Sequence, residues 1–172
     1  MVSTIQHFRP APGIFFRPGI SRPKKTQYKT LQSNINPRAF NIKVADKYWL
    51  FFLNSNFYSV ESEYFWTYGR QEAELFLVIP EPAPREIWIK LSNPPQDNQV
   101  RVIFEQHSRT IRMKAGENRA IKISKPGGLA VDRGRIYRVR IRSTESYSPY
   151  FSEPGSEDQR LLGVRVHFAL VP

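Results

Sequence analysis

The sequence contains no cysteine, so disulfide bonds and thiol chemistry are excluded and the redox compartment stays open. Its three histidines, His7, His107 and His167, are far apart along the chain. Zinc sites usually combine closely spaced cysteines and histidines, and we therefore predict neither a bound metal nor a cofactor. Acidic residues are scarce at one end, because residues 1–47 hold nine lysines and arginines but a single acid, for a net charge of +8.

Long hydrophobic runs are also missing. The longest is YWLFFL at residues 48–53, whereas a membrane-spanning helix needs about 20 apolar residues. The first 20 residues contain three prolines and lack the continuous apolar core of a signal peptide. We therefore expect neither a transmembrane helix nor a targeting segment, and the localisation stays unknown.

Residues 1–39 form a distinct basic segment, which we call the arm. Five prolines and two glycines interrupt it, and neither a helical nor a strand period is present. Because proline removes an amide donor and fixes φ, this composition is typical of an extended or disordered segment. The tripeptide Phe-Arg-Pro occurs twice, at residues 8–10 and 16–18, which suggests short docking contacts. The arm cations expected to contact a partner are Arg9, Arg17, Arg22, Lys24, Lys25 and Lys29.

Residues 40–172 show a different pattern, made of short runs in which apolar and polar residues alternate. In the runs EIWIKL, IYRVRIR and LGVRVHFAL, apolar residues at every second position share one face, as Ile87, Ile89 and Leu91 do, whereas residues such as Lys90 and His167 lie on the other face. This period of two is typical of half-buried antiparallel strands. Turn-forming clusters such as PEPAP, NPPQDN and EPGSED separate the runs. The pattern predicts an all-β domain, an antiparallel β-sandwich or jelly roll, in which any helix is a turn or two long.

Two stretches of this domain resemble a known family. In NFYSVESEYFWTYG, residues 56–69, an aromatic pair precedes Glu61 and a Trp-Thr pair; in SEPGSEDQRLLG, residues 152–163, Asp158 and Arg160 precede a Leu-Gly pair. The combination resembles the β-sandwich domains of bacterial cell-envelope glycan proteins, which are often appended to membrane glycosyltransferases. The resemblance covers residues 40–172 and implies a non-catalytic accessory module, associated with an envelope complex, that contacts glycans. The family's arginine before the tryptophan is Phe65 here, so its ionic role is lost.

The segment around Asp158 and Arg160 has two interpretations. The carboxylate could bind sugar hydroxyls or calcium, or it could accept turn amides while Arg160 bridges to Glu61. Residues two apart in an extended segment point the same way and can act together. We favour a structural latch of Glu61, Asp158 and Arg160, because a buried arginine needs a carboxylate partner. Removing one partner of such a buried pair costs about 3–5 kcal/mol.

Exposed aromatic rings are the candidates for carbohydrate binding, since sugars present flat C–H faces that pack on them. Trp88 lies opposite the apolar face of its run, which makes it a candidate on a solvent-exposed face. Tyr147 and Tyr150 lie in the loop SYSPYF, which forms either the rim of a pocket or an ordinary proline-stiffened connection. Trp66 is a further candidate, although aromatic residues in short strands are more often core, and we favour a core position for it.

A basic stripe lies on one face of a predicted strand, formed by Arg138, Arg140 and Arg142, with Arg165 beside it if the last strand is a neighbour. Three arginines in alternation could bind phosphate or an acidic polysaccharide. We favour the alternative, which is a solvated face balanced by neighbouring acids.

The sequence leaves three functions open. One is a carbohydrate-binding or accessory module of a cell-envelope glycan system, which we favour. The second is an assembly subunit whose arm docks on a protein partner. The third is a capsid-like jelly roll whose basic arm binds nucleic acid with a salt-sensitive affinity. The sequence contains no nucleophile elbow, phosphate-binding glycine loop or metal triad, and we predict that the protein is not an enzyme.

Overall fold

The computed structural model describes residues 41–44, 47–58 and 60–172, the first range as backbone only. The arm and its candidate contact residues lie outside the described residues. Docking of the arm to a protein partner or to nucleic acid therefore stays a prediction, as does the domain boundary between residues 39 and 40.

The described part of the chain contains eleven strands and one helical turn. In chain order they are β1 (Asn41–Val44), β2 (Tyr48–Phe52), β3 (Tyr64–Tyr68), β4 (Glu72–Pro80), β5 (Glu86–Ser92), β6 (Asn98–Phe104), β7 (His107–Met113), β8 (Asn118–Ser124), β9 (Leu129–Val131), β10 (Gly134–Ser143), α1 (Pro149–Ser152) and β11 (Leu162–Val171). The described residues contain no helix with the length and hydrophobicity of a transmembrane segment.

The strands form two sheets in which every pairing is antiparallel. The first has seven strands in the order β1-β2-β4-β10-β6-β7, and β9 pairs with the first residues of β10. The second has four strands in the order β3-β11-β5-β8. The prediction of an all-β antiparallel sandwich is confirmed.

The core lies between the two sheets and is filled by alternate residues of each strand. Leu75 and Leu77 of β4 are 0% exposed, as are Ile87 and Ile89 of β5. Burying one such side chain contributes about 1.5–3 kcal/mol relative to leaving it exposed. A hydrogen bond of 3.0 Å from the Tyr48 hydroxyl to the Phe168 carbonyl crosses the core and ties the sheets together.

An irregularity at the start of β11 shapes the smaller sheet. The pairing between β3 and β11 changes register between Leu162 and Arg165, as in a β-bulge. The Val164 amide there donates to the Thr67 hydroxyl at 2.9 Å, and that hydroxyl donates to the Val164 carbonyl at 3.3 Å. Thr67 is 0% exposed. Its hydroxyl thus satisfies backbone groups of the bulge that water cannot reach.

Gly163 lies inside this bulge, where the chain passes very close to its neighbours. A Cβ atom there would overlap the Thr67 hydroxyl and lie 2.7 Å from the Gly69 carbonyl oxygen and 2.9 Å from the Ser143 hydroxyl. Only a residue without a side chain fits this position, which explains the glycine in the LLGV stretch.

Candidate functional site

The outer face of the four-stranded sheet carries aromatic and basic side chains. Tyr64 and Trp66 of β3 alternate with the buried Phe65 and Thr67, so they point away from the core. On β11, Arg165 stands opposite Trp66 on β3 and opposite Ser92 on β5. In the next row, His167 pairs with Tyr64 and with Lys90, and Lys90 pairs with Ala120 of β8.

Small side chains create a depression in this face, which we call the groove. Ser92 and Ala120 lie among much larger neighbours, so the surface between Tyr64 and Trp88 is concave. The cavity has a volume of about 580 Å³. Its lining also includes Glu63, Lys90, Asn118, Arg119, Arg165 and His167. Because the lining comes largely from strands of one hydrogen-bonded sheet, the groove is held in place by the fold.

Trp88 forms one wall of the groove and is held by neighbouring polar groups. Its indole Nε1 donates a hydrogen bond of 3.0 Å to Glu86 Oε2. The Lys122 ammonium lies 5.7 Å from the ring centre and forms an ion pair of 2.5 Å with Glu86. Hydrogen bonds from Lys122 and then Trp88 hold the pKa of Glu86 below its ordinary value. The Trp88 ring is partly buried. Its contacts with Glu86 and Lys122 fix its orientation.

Arg165 stands at the opposite side of the groove. Its guanidinium carbon lies 4.7 Å from the Tyr64 ring centre and 5.9 Å from the Trp66 ring centre, which are cation–π distances. Its Nη2 donates to the Ser92 hydroxyl at 3.3 Å. Arginine carries five N–H donors, so this side chain keeps hydrogen-bonding capacity for a ligand.

His167 lies on the floor of the groove beside an acid. Its Nε2 is 3.4 Å from Glu63 Oε2. Burial lowers the pKa of His167 below its ordinary value of 6.5; Glu63 opposes this shift, and Lys90 and Lys47 add to it. The imidazole is therefore mainly neutral at pH 7, and acidification introduces a positive charge into the groove.

The latch residues meet at the edge of the same sheet. Arg160 Nη1 lies 2.7 Å from Glu61 Oε1, and its Nη2 lies 2.7 Å from Asp158 Oδ2. The guanidinium also lies 5.5 Å from the Tyr58 ring centre, and the Tyr58 hydroxyl accepts a hydrogen bond of 2.8 Å from the Leu161 amide. Hydrogen bonding from Arg160 holds the pKa of Asp158 below its ordinary value. The cluster therefore joins the approach to β11 to the approach to β3.

Arg160 is less buried than predicted, because 35% of its side chain is exposed. We expect Arg160→Met to lower the free energy of unfolding by about 1–2 kcal/mol, less than a buried pair would cost, because solvent screens the charges. Urea denaturation measures the loss. The matched control is Arg70→Met, which breaks the exposed Arg70–Glu145 pair of 3.1 Å and should cost below about 0.5 kcal/mol. Equal losses in the two variants would contradict a stabilising latch.

Three predicted positions are corrected by the structure. Trp66 is not a core residue, because it points outward and is partly exposed beside Arg165. Tyr147 cannot offer its ring to a sugar, because it is 6% exposed and its hydroxyl donates to Glu153 at 2.7 Å. Arg165 is not beside the basic stripe, because β11 and β10 belong to different sheets.

Tyr150 is 50% exposed but lies far from Trp88. Tyr147 of the same loop pairs with Leu162, whereas Trp88 pairs with Ala169. Leu162 and Ala169 are seven positions apart on β11, which corresponds to about 23 Å of strand. Tyr150 and Trp88 therefore do not form one site.

The basic stripe lies on the outer face of the seven-stranded sheet and is partly neutralised. Arg138 forms an ion pair with Glu74, and Arg140 lies 3.8 Å from Glu72. Arg142 is exposed and makes no ion pair with a carboxylate of the described residues. Two of the three arginines thus match the balanced face that the sequence analysis favoured.

The sequence pattern did not predict several groove residues, including Ser92, Ala120 and Glu63. The alternation placed Lys90 and His167 opposite the apolar faces of their runs, but it could not show that these two residues are neighbours. That information lies in the strand order, which brings β3, β5 and β8 to the two sides of β11.

No protein-family model matches the sequence, and no curated protein matches it either. Similar solved structures include the acetyl xylan esterase Est2A from the rumen bacterium Butyrivibrio proteoclasticus, at 14% identity and a TM-score of 0.38. That alignment covers 77% of this chain and 33% of the esterase.

Two further similar structures are also chains of carbohydrate-active enzymes. The family GH115 4-O-methyl-α-glucuronidase BtGH115A, described as specific for decorated arabinogalactans, is 10% identical, with a TM-score of 0.36 over 80% of this chain and 18% of its own. The Podospora anserina GH26-CBM35 β-(1,4)-mannanase is 8% identical, with a TM-score of 0.31 over 78% of this chain and 26% of its own. This chain therefore spans about a third or less of each structure, and at these scores the likeness carries no argument about its ligand.

Proposed function

We propose that this protein is a non-catalytic carbohydrate-binding module, accessory to a cell-envelope glycan system, and that it binds sugar in the groove. The observation that carries the proposal is a concave sheet face on which Trp88 and Tyr64 flank Lys90, Ser92 and His167. The family resemblance of residues 40–172 supports the envelope-glycan context.

The chemistry of the groove suits a sugar. Aromatic rings supply large apolar contact areas for the C–H faces of a pyranose, and the polar groups between them can bind its hydroxyls. Ser92 and Asn118 offer neutral donors and acceptors, and Lys90 and Arg165 offer charged donors. The open shape of the groove suits a stretch of polysaccharide chain.

Binding without catalysis is the simpler proposal for this face. Most glycoside hydrolases use a pair of carboxylates that flank the scissile bond. Among the described residues that line the groove, Glu63 is the single carboxylate, and it is next to His167. A test for reducing ends released from the polysaccharides that bind would detect hydrolysis and contradict this part of the proposal.

Trp88→Ala tests the site directly. We expect its affinity for a bound polysaccharide to fall at least tenfold, about 1.4 kcal/mol, because the main apolar contact is lost. Isothermal titration calorimetry against a panel of soluble polysaccharides measures the affinity, and a thermal melt of each variant checks the fold. Tyr150→Ala is the matched control, since it removes an exposed ring far from the groove.

Two results would overturn the proposed site. The first is an unchanged affinity in Trp88→Ala with a normal melting temperature. The second is an equal loss in Tyr150→Ala, which would place the binding surface at the loop that contains α1. Absence of binding to every polysaccharide of a broad panel would contradict the proposed function itself.

A further inference from the structure

The groove has an excess of positive charge. Lys90, Arg119 and Arg165 line it, whereas Glu63 is the one acid among the described lining residues. Arg119 is paired with Glu117 at 2.6 Å. Lys90 and Arg165 form no ion pair with a carboxylate in the described part of the chain. The groove therefore contains two cations whose charge is not neutralised by the fold.

The sheet holds these two cations close together. Arg165 pairs with Ser92 and His167 pairs with Lys90, so Lys90 and Arg165 are diagonal neighbours on adjacent strands. Diagonal neighbours in a sheet lie about 7–8 Å apart, which is within reach of long side chains. One anionic group on the floor of the groove, above Ser92, could therefore contact both of them.

Arg165 is also arranged for recognition of a planar anion. Tyr64 and Trp66 contact its guanidinium, and Ser92 accepts one of its hydrogen bonds. A guanidinium held in this way can present two parallel donors to a carboxylate, which gives both affinity and geometric specificity.

From this arrangement, and resting on the proposed function, we infer that the ligand is an acidic polysaccharide whose carboxylate binds between Lys90 and Arg165 while a sugar ring packs against Trp88. The inference adds a ligand class, the glycans that contain uronic acid residues. It also separates the roles of the groove residues, since the aromatic walls bind the sugar and the two cations select its charge.

His167 gives the inferred site a pH dependence. The groups that face it are Glu63 just before β3, Tyr64 on β3, Lys90 on β5, and Lys47 before β2. Protonation of His167 adds a positive charge beside Lys90. Affinity for an acidic glycan should therefore rise as the pH falls below 6.5, the ordinary histidine pKa, for as long as the uronate carboxylates stay ionised.

The decisive experiment compares pairs of glycans that share a backbone and differ only at the carboxyl group, which is charged in one member and neutral in the other. The probes are oligogalacturonides and their methyl esters, together with glucuronoxylan and its carboxyl-reduced form. The protein is the full chain, so that any contribution of the basic arm is the same in every variant. Titration calorimetry should give at least tenfold tighter binding of the acidic member of a pair. Lys90→Gln and Arg165→Gln should each reduce that preference several-fold.

The matched control is Arg142→Gln. It removes the same charge from the outer face of the other sheet and should leave the preference unchanged. Arg165→Lys keeps the charge but loses the planar fork, and an intermediate preference is expected for it. His167→Gln should remove this rise in affinity at acidic pH. A thermal melt of each variant confirms that it is folded.

Each alternative outcome has a distinct meaning. Equal affinity for acidic and neutral members of a pair would overturn the inference and leave the proposed function standing. A preference that Arg142→Gln reduces as strongly as Lys90→Gln would show that the charge acts outside the groove, which also overturns it. Single-stranded RNA bound through Trp88 and Lys90 more tightly than any polysaccharide would contradict the ligand class. No binding to any glycan would overturn the inference together with the proposed function.

Discussion

Gly163→Val is expected to lower the free energy of unfolding by about 3 kcal/mol, because the bulge at the start of β11 has no room for a side chain. Its Cβ would overlap the Thr67 hydroxyl and lie 2.7 Å from the Gly69 carbonyl oxygen. A backbone carbonyl cannot rotate away as a flexible side chain can, so β3 and β11 would have to move apart. Urea denaturation followed by tryptophan fluorescence measures the change.

The control for this substitution is Gly127→Ala. No atom lies within 4 Å of a Cβ built on Gly127, and its φ is not in the left-handed region. We expect a change of about 0.5 kcal/mol or less there. A Gly163→Val protein as stable as Gly127→Ala would show that the bulge can open without cost, and the close packing described for this region would be wrong.

Thr67→Val is expected to cost about 2 kcal/mol, because it keeps the shape of the side chain and removes its hydroxyl. The Val164 amide would then be buried in the bulge without its 2.9 Å acceptor. Chemical denaturation again measures the loss, and native-state hydrogen exchange of the Val164 amide locates it. Exchange at this amide should become faster in Thr67→Val than in the unmodified protein.

Thr67→Ser separates the hydroxyl from the packing of the methyl group. It keeps the hydrogen bond and loses one buried methyl, which costs about 1 kcal/mol. Valine should therefore be the more damaging of the two substitutions. The opposite order would mean that the methyl contact, and not the hydroxyl, stabilises this position.

The sequence predicted the faces of the strands well, because the period of two is a local property. IYRVRIR predicts that Tyr137, Val139 and Ile141 face one way, and all three are 0% exposed. The same alternation in EIWIKL places Trp88 opposite the buried Ile87 and Ile89, as the structure has it.

Strand partners could not be predicted from the same pattern, because pairing joins residues that are far apart in the chain. Arg165 illustrates the consequence: its outward direction was predictable, but its neighbours Trp66 and Ser92 were not. Tyr147 failed for a different reason. Its loop has no alternation, and the burial of its ring follows from the bridge to Leu162, which local sequence does not reveal.

The central position of β11 has a consequence for the order of events during synthesis. The ribosome synthesises β3 well before β11, which is the one partner strand of β3 in the described sheet. About a hundred residues separate the two strands in the sequence. Until residue 171 has been added, Phe65 on β3 and Ile89 on β5 have no complete sheet to pack within. Such non-local pairing slows folding and leaves apolar surface exposed to other chains. Arg165 and His167 of the groove belong to β11. The groove is therefore complete only after this last strand has been synthesised and has paired with β3 and β5.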